Sequence, residues 1–160
     1  MADAIERKKR TITEIRESKK TGEKMVYMSV PDYTSAQWGE MAGIDVAVVG
    51  DSLAMIAHGH PNTIPATMDM MVMHSQAVRR GAPNTFVLGC MPYQSYHTIG
   101  CALTNATRFM QDAGCDAVGT SAAPPQRFAL FKILREFPEM LRAIFGHGAE
   151  RRRVPRGDRW

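Results

Sequence analysis

The sequence predicts an α/β chain made of consecutive β-loop-α units, about four of them, after an N-terminal helix. Three observations carry this. Short β-branched apolar runs alternate with stretches of helical apolar spacing, the pattern of parallel strands joined by crossover helices. The run Asp45-Val46-Ala47-Val48-Val49-Gly50 is apolar without alternation, as suits a strand covered on both faces. The length of 160 residues bounds the rest. Four units make either an open doubly wound sheet or half of an eight-stranded barrel, and a closed barrel typically needs about 250 residues.

Thr11 to Lys20 reads as a surface helix with Thr11 or Thr13 as its cap and Gly22 as its stop. Met25 to Val30 is the first strand, ended by Pro31-Asp32, and Tyr33 to Ala42 is a helix closed by Gly43. After the second strand, Ala54 to Thr67 contains Gly59, Pro61 and Pro65 and reads as a long irregular loop, a length that usually signals function. Thr67 caps a helix from Met68 to about Arg80, stopped by Gly81-Ala82-Pro83. Thr85 to Gly89 is the third strand, delivering Cys90, and Pro92 to His97 is the next loop. Ala102, Ala106, Phe109, Met110 and Ala113 mark one face of a helix ending at Gly114. Asp116 to Thr120 is the fourth strand, with Ser121 at its end, and Leu130, Leu134, Phe137 and Leu141 mark a last helix that Pro138 kinks. Residues 1–145 form the partial barrel domain. Residues 146–160 lack any strand pattern and read as a basic, disordered tail.

Composition narrows the function classes. The net charge of +4 divides into +3 over residues 1–20, +3 over residues 146–160 and −2 between them. Basic arms flanking a mildly acidic body are usually solvated termini and only occasionally anion-binding patches, and no nucleic-acid motif accompanies them. No apolar run reaches the roughly 20 residues of a membrane span. The N-terminal segment lacks the apolar core of a secretory signal, so the cytoplasm is the expected location. Three cysteines without close spacing (Cys90, Cys101, Cys115) fit reduced thiols.

Ligands of parallel α/β sheets gather at the carboxyl ends of strands. Asp51, Cys90 and Ser121 are the first loop residues there. Asp51 presents a charged oxygen ligand, or else caps the helix that follows. Cys90 is a soft donor. It could join His58, His60, His74 or His97 in a zinc site, although no pair has zinc-site spacing, or serve as a nucleophile. The plainer reading makes Cys90 a buried packing residue, His74 a structural histidine and the 12 methionines core filler.

Asp32-Tyr33 with Ser35-Ala36, and then Val49-Gly50-Asp51-Ser52-Leu53-Ala54-Met55, open a series of motifs. Gly59, Thr63-Ile64-Pro65-Ala66-Thr67-Met68-Asp69, His74, Ala77-Val78-Arg79-Arg80-Gly81 and Met91-Pro92-Tyr93-Gln94-Ser95-Tyr96 continue it in order. From about Thr11 to Val118 the chain resembles the ketopantoate hydroxymethyltransferase family. The resemblance implies a (β/α)₈ barrel of the phosphoenolpyruvate/pyruvate type, assembled as a homo-oligomer. It implies transfer of a one-carbon unit from 5,10-methylenetetrahydrofolate to 3-methyl-2-oxobutanoate, on the route to pantothenate. In the family, Mg²⁺ chelates the 2-oxo acid and stabilises its enolate. By the same resemblance Asp51 matches a metal-binding acid and touches substrate, and Ser52 matches the contact to the substrate carboxylate. The second metal-binding acid falls on Cys90, and a Lys and a Glu of the family fall on Gly119 and Ser121. The family's general base belongs to a later strand, for which this sequence offers no match.

Overall fold

The structure, a computed structural model, describes residues 8–120. Ser121, the expected last helix and the tail 146–160 lie outside the described residues. Four strands, β1 (Tyr27–Ser29), β2 (Val46–Val49), β3 (Phe86–Met91) and β4 (Ala117–Thr120), form one parallel sheet in the order β1-β2-β3-β4. That order decides between the two architectures. A doubly wound sheet reverses direction at a switch point, whereas here each strand is laid beside its predecessor in one direction. The sheet with its alternating helices is an incomplete barrel.

The register sorts side chains onto two faces. Val46 pairs with Phe86, Val48 with Leu88 and Leu88 with Ala117 on the inner face, and Ala47 pairs with Val87 on the outer one. Helices α2 (Tyr33–Ala42), α4 (Met68–Gly81) and α5 (Ile99–Thr107) belong to the outer layer. There Ala36, Met71, Val72, Val78, Ala102 and Phe109 join Ala47, Val49, Val87 and Val118 in the main core. Inside, α1 (Ile12–Thr21) brings Ile12 and Ile15 against Val46, Phe86 and Ala117.

The caps follow the sequence reading. Thr11 and Glu14 form a capping box at α1, Gly22 ends it in the left-handed region (φ 76°), and Gly43 does the same for α2. The Thr67 hydroxyl accepts from Met70 N–H at the start of α4.

Four expectations are corrected. The segment after β2 is not wholly irregular. The turn bonds Leu53 N–H to Gly50 C=O and Ala54 N–H to Asp51 C=O run on into a one-turn helix, α3 (Leu53–Ile56), that buries Leu53 and Ala54. Strand β3 extends two residues further than expected, so Cys90 stands within it, half-buried rather than buried. The expected single helix to Ala113 changes at Arg108 into a π-helical turn (Arg108–Asp112), closed by the bond from Ala113 N–H to Arg108 C=O. Finally, Met41 (79% exposed), Met73 and Met55 lie on the surface, so methionine is only partly a core residue here.

Phe109, in that π turn, is fully buried because Gly89 makes room for it. A Cβ at Gly89 would lie 2.5 Å from Phe109 Cδ1 and 3.1 Å from Cys115 Sγ. Gly89→Ala is therefore expected to lose about 1–3 kcal/mol of stability through overpacking. Urea unfolding should show this as a lower midpoint with an unchanged slope.

Candidate functional site

Two ends of the sheet differ in what they hold. At the amino ends of the strands, Asp45 accepts from Arg10 Nε (3.1 Å) and from Val26 N–H (2.9 Å). A cavity of about 300 Å³ opens there between Lys8, Arg10, Glu40, Asp45 and Thr85. Its carboxylates are already engaged, for Glu40 accepts from Asn84 N–H (2.9 Å) and the Thr85 hydroxyl (2.8 Å). This end is structural.

At the carboxyl ends the polar groups are less committed. The backbone after β2 turns sharply at Gly50, and Asp51 and Ser52 follow, both half-buried. Ser52 holds the cap position of α3, yet its side chain makes no capping bond. Among the described residues no hydrogen bond holds the Asp51 carboxylate either. The capping reading of Asp51 is thereby set aside, and two oxygen-bearing side chains remain available at the mouth of the sheet.

The register places Cys90 and Gly119 at the same level. They are paired residues of β3 and β4, and a Cβ on Gly119 would lie 3.8 Å from Cys90 Sγ. Val49 pairs with Gly89 one step before, so Gly50-Asp51 continues this level on β2. Three of the four positions singled out in the sequence are thus brought to one end of the sheet; Ser121 lies outside the described residues.

The loop after β3 adds a group that the sequence reading left without a role. Gln94 adopts a positive φ of 65°, and its carbonyl accepts from His97 Nδ1 at 2.6 Å. The Ser95 hydroxyl donates to Pro92 C=O (2.8 Å), while Asn105 Nδ2 donates to Ser95 C=O (2.7 Å). This self-bonded loop holds Tyr96 within the electrostatic reach of Asp51. Burial first, then the Asp51 charge and then Tyr93 raise the Tyr96 phenol above its ordinary value.

The donors at this end do not fit a hard Mg²⁺ ion. Among the described residues no group of three His, Cys, Asp or Glu side chains gathers to hold a metal. Asp51 is one carboxylate, and the thiol of Cys90 is a soft donor beside it. The zinc alternative fares no better at Cys90. His58 pairs with His74 (2.9 Å), and His97 Nε2 lies 3.8 Å from Cys101 Sγ rather than beside Cys90. Cys115 is the inert thiol: burial, foremost, pushes it up to about 12.

Since Tyr96 holds its proton more tightly folded than unfolded, its share of stability is full below the ordinary phenol pKa. That share is lost as pH rises through the raised value. Asp51→Asn removes the second cause while leaving burial in place. Phenolate absorbance, referenced to Tyr96→Phe to subtract the other tyrosines, is expected to show Tyr96 ionising at lower pH in Asp51→Asn.

Comparison with known proteins adds relatives to this geometry. The family model described as ketopantoate hydroxymethyltransferase matches residues 9–135. The 3-methyl-2-oxobutanoate hydroxymethyltransferase 1 of Methylibium petroleiphilum is 82% identical over 122 residues, which are 74% of this chain and 42% of the relative. The enzymes named 3-methyl-2-oxobutanoate hydroxymethyltransferase of Thermus thermophilus and Geobacillus kaustophilus are 43% and 48% identical, over 69% and 66% of this chain and 41% and 38% of theirs. The chain therefore spans about two fifths of the length of these curated relatives. Among solved structures, 2,3-dimethylmalate lyase, a PEP mutase/isocitrate lyase superfamily member, superposes with a TM-score of 0.60 at 14% identity. That superposition covers 81% of this chain and 49% of the lyase, and it establishes the fold alone.

Proposed function

The chain belongs to the ketopantoate hydroxymethyltransferase family, and from that premise we propose that it is the N-terminal four-unit portion of an enzyme acting on a small 2-oxo acid. The reaction is one-carbon transfer from 5,10-methylenetetrahydrofolate to 3-methyl-2-oxobutanoate, as in pantothenate biosynthesis. One observation supports this reading above the others. The uncommitted Asp51 and Ser52 side chains stand at the carboxyl end of β2, level with Cys90 and Gly119.

In this reading the Ser52 hydroxyl donates to the substrate carboxylate, and Asp51 stands beside it at the same mouth. Tyr96 bounds the mouth beside them. Making an enolate requires a cation where its charge develops and a base for the C3 proton. The position at Gly119 carries no side chain to serve as that cation, and Cys90 is no hard-metal ligand. The described portion accordingly binds a 2-oxo acid and does not enolise it.

Proton NMR of 3-methyl-2-oxobutanoate in D₂O, with and without Mg²⁺, tests both halves. Saturation transfer from protein to ligand, reduced in Ser52→Ala, is expected without exchange at C3. Absence of transfer overturns the binding site. Mg²⁺-dependent exchange that disappears in Asp51→Ala would show a working metal site and overturn the assignment of binding alone.

A second reading, family assembly without turnover, is favoured by β1. Among the described residues it is an edge strand, with Tyr27 (53%) exposed in it and Val26 (56%) just before it, beside a backbone rim that no described strand pairs. Such an edge drives self-association unless covered. Sedimentation of the chain is expected to show concentration-dependent assembly, weakened in Tyr27→Lys, and a monomer at all concentrations would exclude it.

A further inference from the structure

His58, in the loop after α3, and His74, in α4, are 16 residues apart in sequence and meet at their Nε2 atoms, 2.9 Å apart. Their rings stand edge to face, with centroids 5.1 Å apart and planes at 78°. The other nitrogen of His74, Nδ1, bonds the carbonyl of Pro31 at the end of β1. A carbonyl only accepts, so Nδ1 carries the proton, and neutral His74 has its lone pair on Nε2, aimed at His58.

One tautomer of His58 accounts for this contact, and the other makes room for an ion. With its proton on Nε2, His58 donates to His74. With the proton on Nδ1, two imidazole lone pairs converge on one point. The second arrangement is that of a metal site. A ligating histidine characteristically donates its remaining N–H to a backbone carbonyl, which fixes both the tautomer and the ring; His74 is already held so by Pro31. Zn–N bonds of about 2.0–2.1 Å place two nitrogens of a tetrahedral ion about 3.3 Å apart. The pair would open by only about 0.4 Å, on the side where the His58 ring is exposed. His60 stacks on His58 with ring centroids 6.5 Å apart, so a third imidazole stands in the same loop.

We infer that His58 and His74 bind a first-row divalent transition ion of the Zn²⁺ class, whose other positions are filled by water. Imidazole donors select such ions over Mg²⁺, which takes oxygen ligands. Since no third His, Cys, Asp or Glu converges among the described residues, the site is a two-nitrogen clip and not a cage. Its effect is mechanical. It fastens the long loop between α3 and α4 to α4 itself and, through Pro31, to the end of β1.

Cobalt(II), titrated into the full chain, is the probe, because its visible absorption reports the ligand type. Expected are ligand-field bands without a thiolate charge-transfer band, displaced by Zn²⁺, and a melting temperature raised by Zn²⁺. His58→Gln, at an exposed position, is expected to weaken binding on the order of tenfold or more. Asp51→Ala is expected to leave it unchanged. Three results would overturn the site: no cobalt binding, binding indifferent to His58→Gln, or a thiolate band that disappears when Cys90 or Cys101 is replaced.

Discussion

Arg79 holds the described part of the chain together. Its guanidinium donates to Asp116 (2.8 Å) before β4, and to the carbonyls of Ala82 and Thr85 (2.6 Å) in the turn before β3. Asp116 in turn accepts from Val87 N–H (2.9 Å) and pairs with Lys9 ahead of α1. One planar cation thus joins α4, two strand starts and the N-terminal segment, a task suited to a forked, permanently charged donor and not to a lysine. Asp45 repeats the arrangement at β2 with Arg10 and Val26. Both pairs are only partly exposed, so they are screened less than surface ion pairs.

The two ends of the sheet differ in how their carboxylates are held. The carboxylates ahead of the strands, Asp45 and Asp116, are bonded to backbone amides and basic side chains, and α1 seals the apolar floor formed by Val46, Phe86 and Ala117. The carboxylate after β2, Asp51, has neither kind of partner among the described residues. A barrel keeps stability and chemistry at opposite ends of its strands, and in these four units the bonded carboxylates lie at one end and Asp51 at the other. Cys90 and Gly119 lie at the same end as Asp51, and both face the interior mouth and not the helices.

Local signals were well written in the sequence. Thr11, Thr67, Gly22 and Gly43 mark helix ends through chemistry confined to a few neighbouring residues, and the strands followed from β-branched runs. Asp51 was legible too, because a Gly-Asp-Ser step after an apolar run puts polar groups at a strand end whatever the surroundings. What could not be read depends on distant partners. The π turn accompanies the packing of Phe109 on Gly89, twenty residues away. The contact of His58 with His74 needs the loop path between them, which no periodicity encodes. Tyr96 appeared in a motif, yet its raised phenol rests first on burial and then on the Asp51 charge, both of which the folded loop creates. The strand order, which separates a barrel from a doubly wound sheet, was likewise settled in space.

The sequential strand order has a consequence for how such a chain is made. In a ring of parallel strands laid down one after another, each new strand finds its partner already waiting, except the first. Among the described residues no strand pairs with the outer rim of β1, the rim that the last strand of a closed ring would match. Val26, Tyr27 and Met28, exposed among the described residues, lie along that rim. Whatever shields the first strand before closure governs whether the nascent chain stays soluble long enough to close.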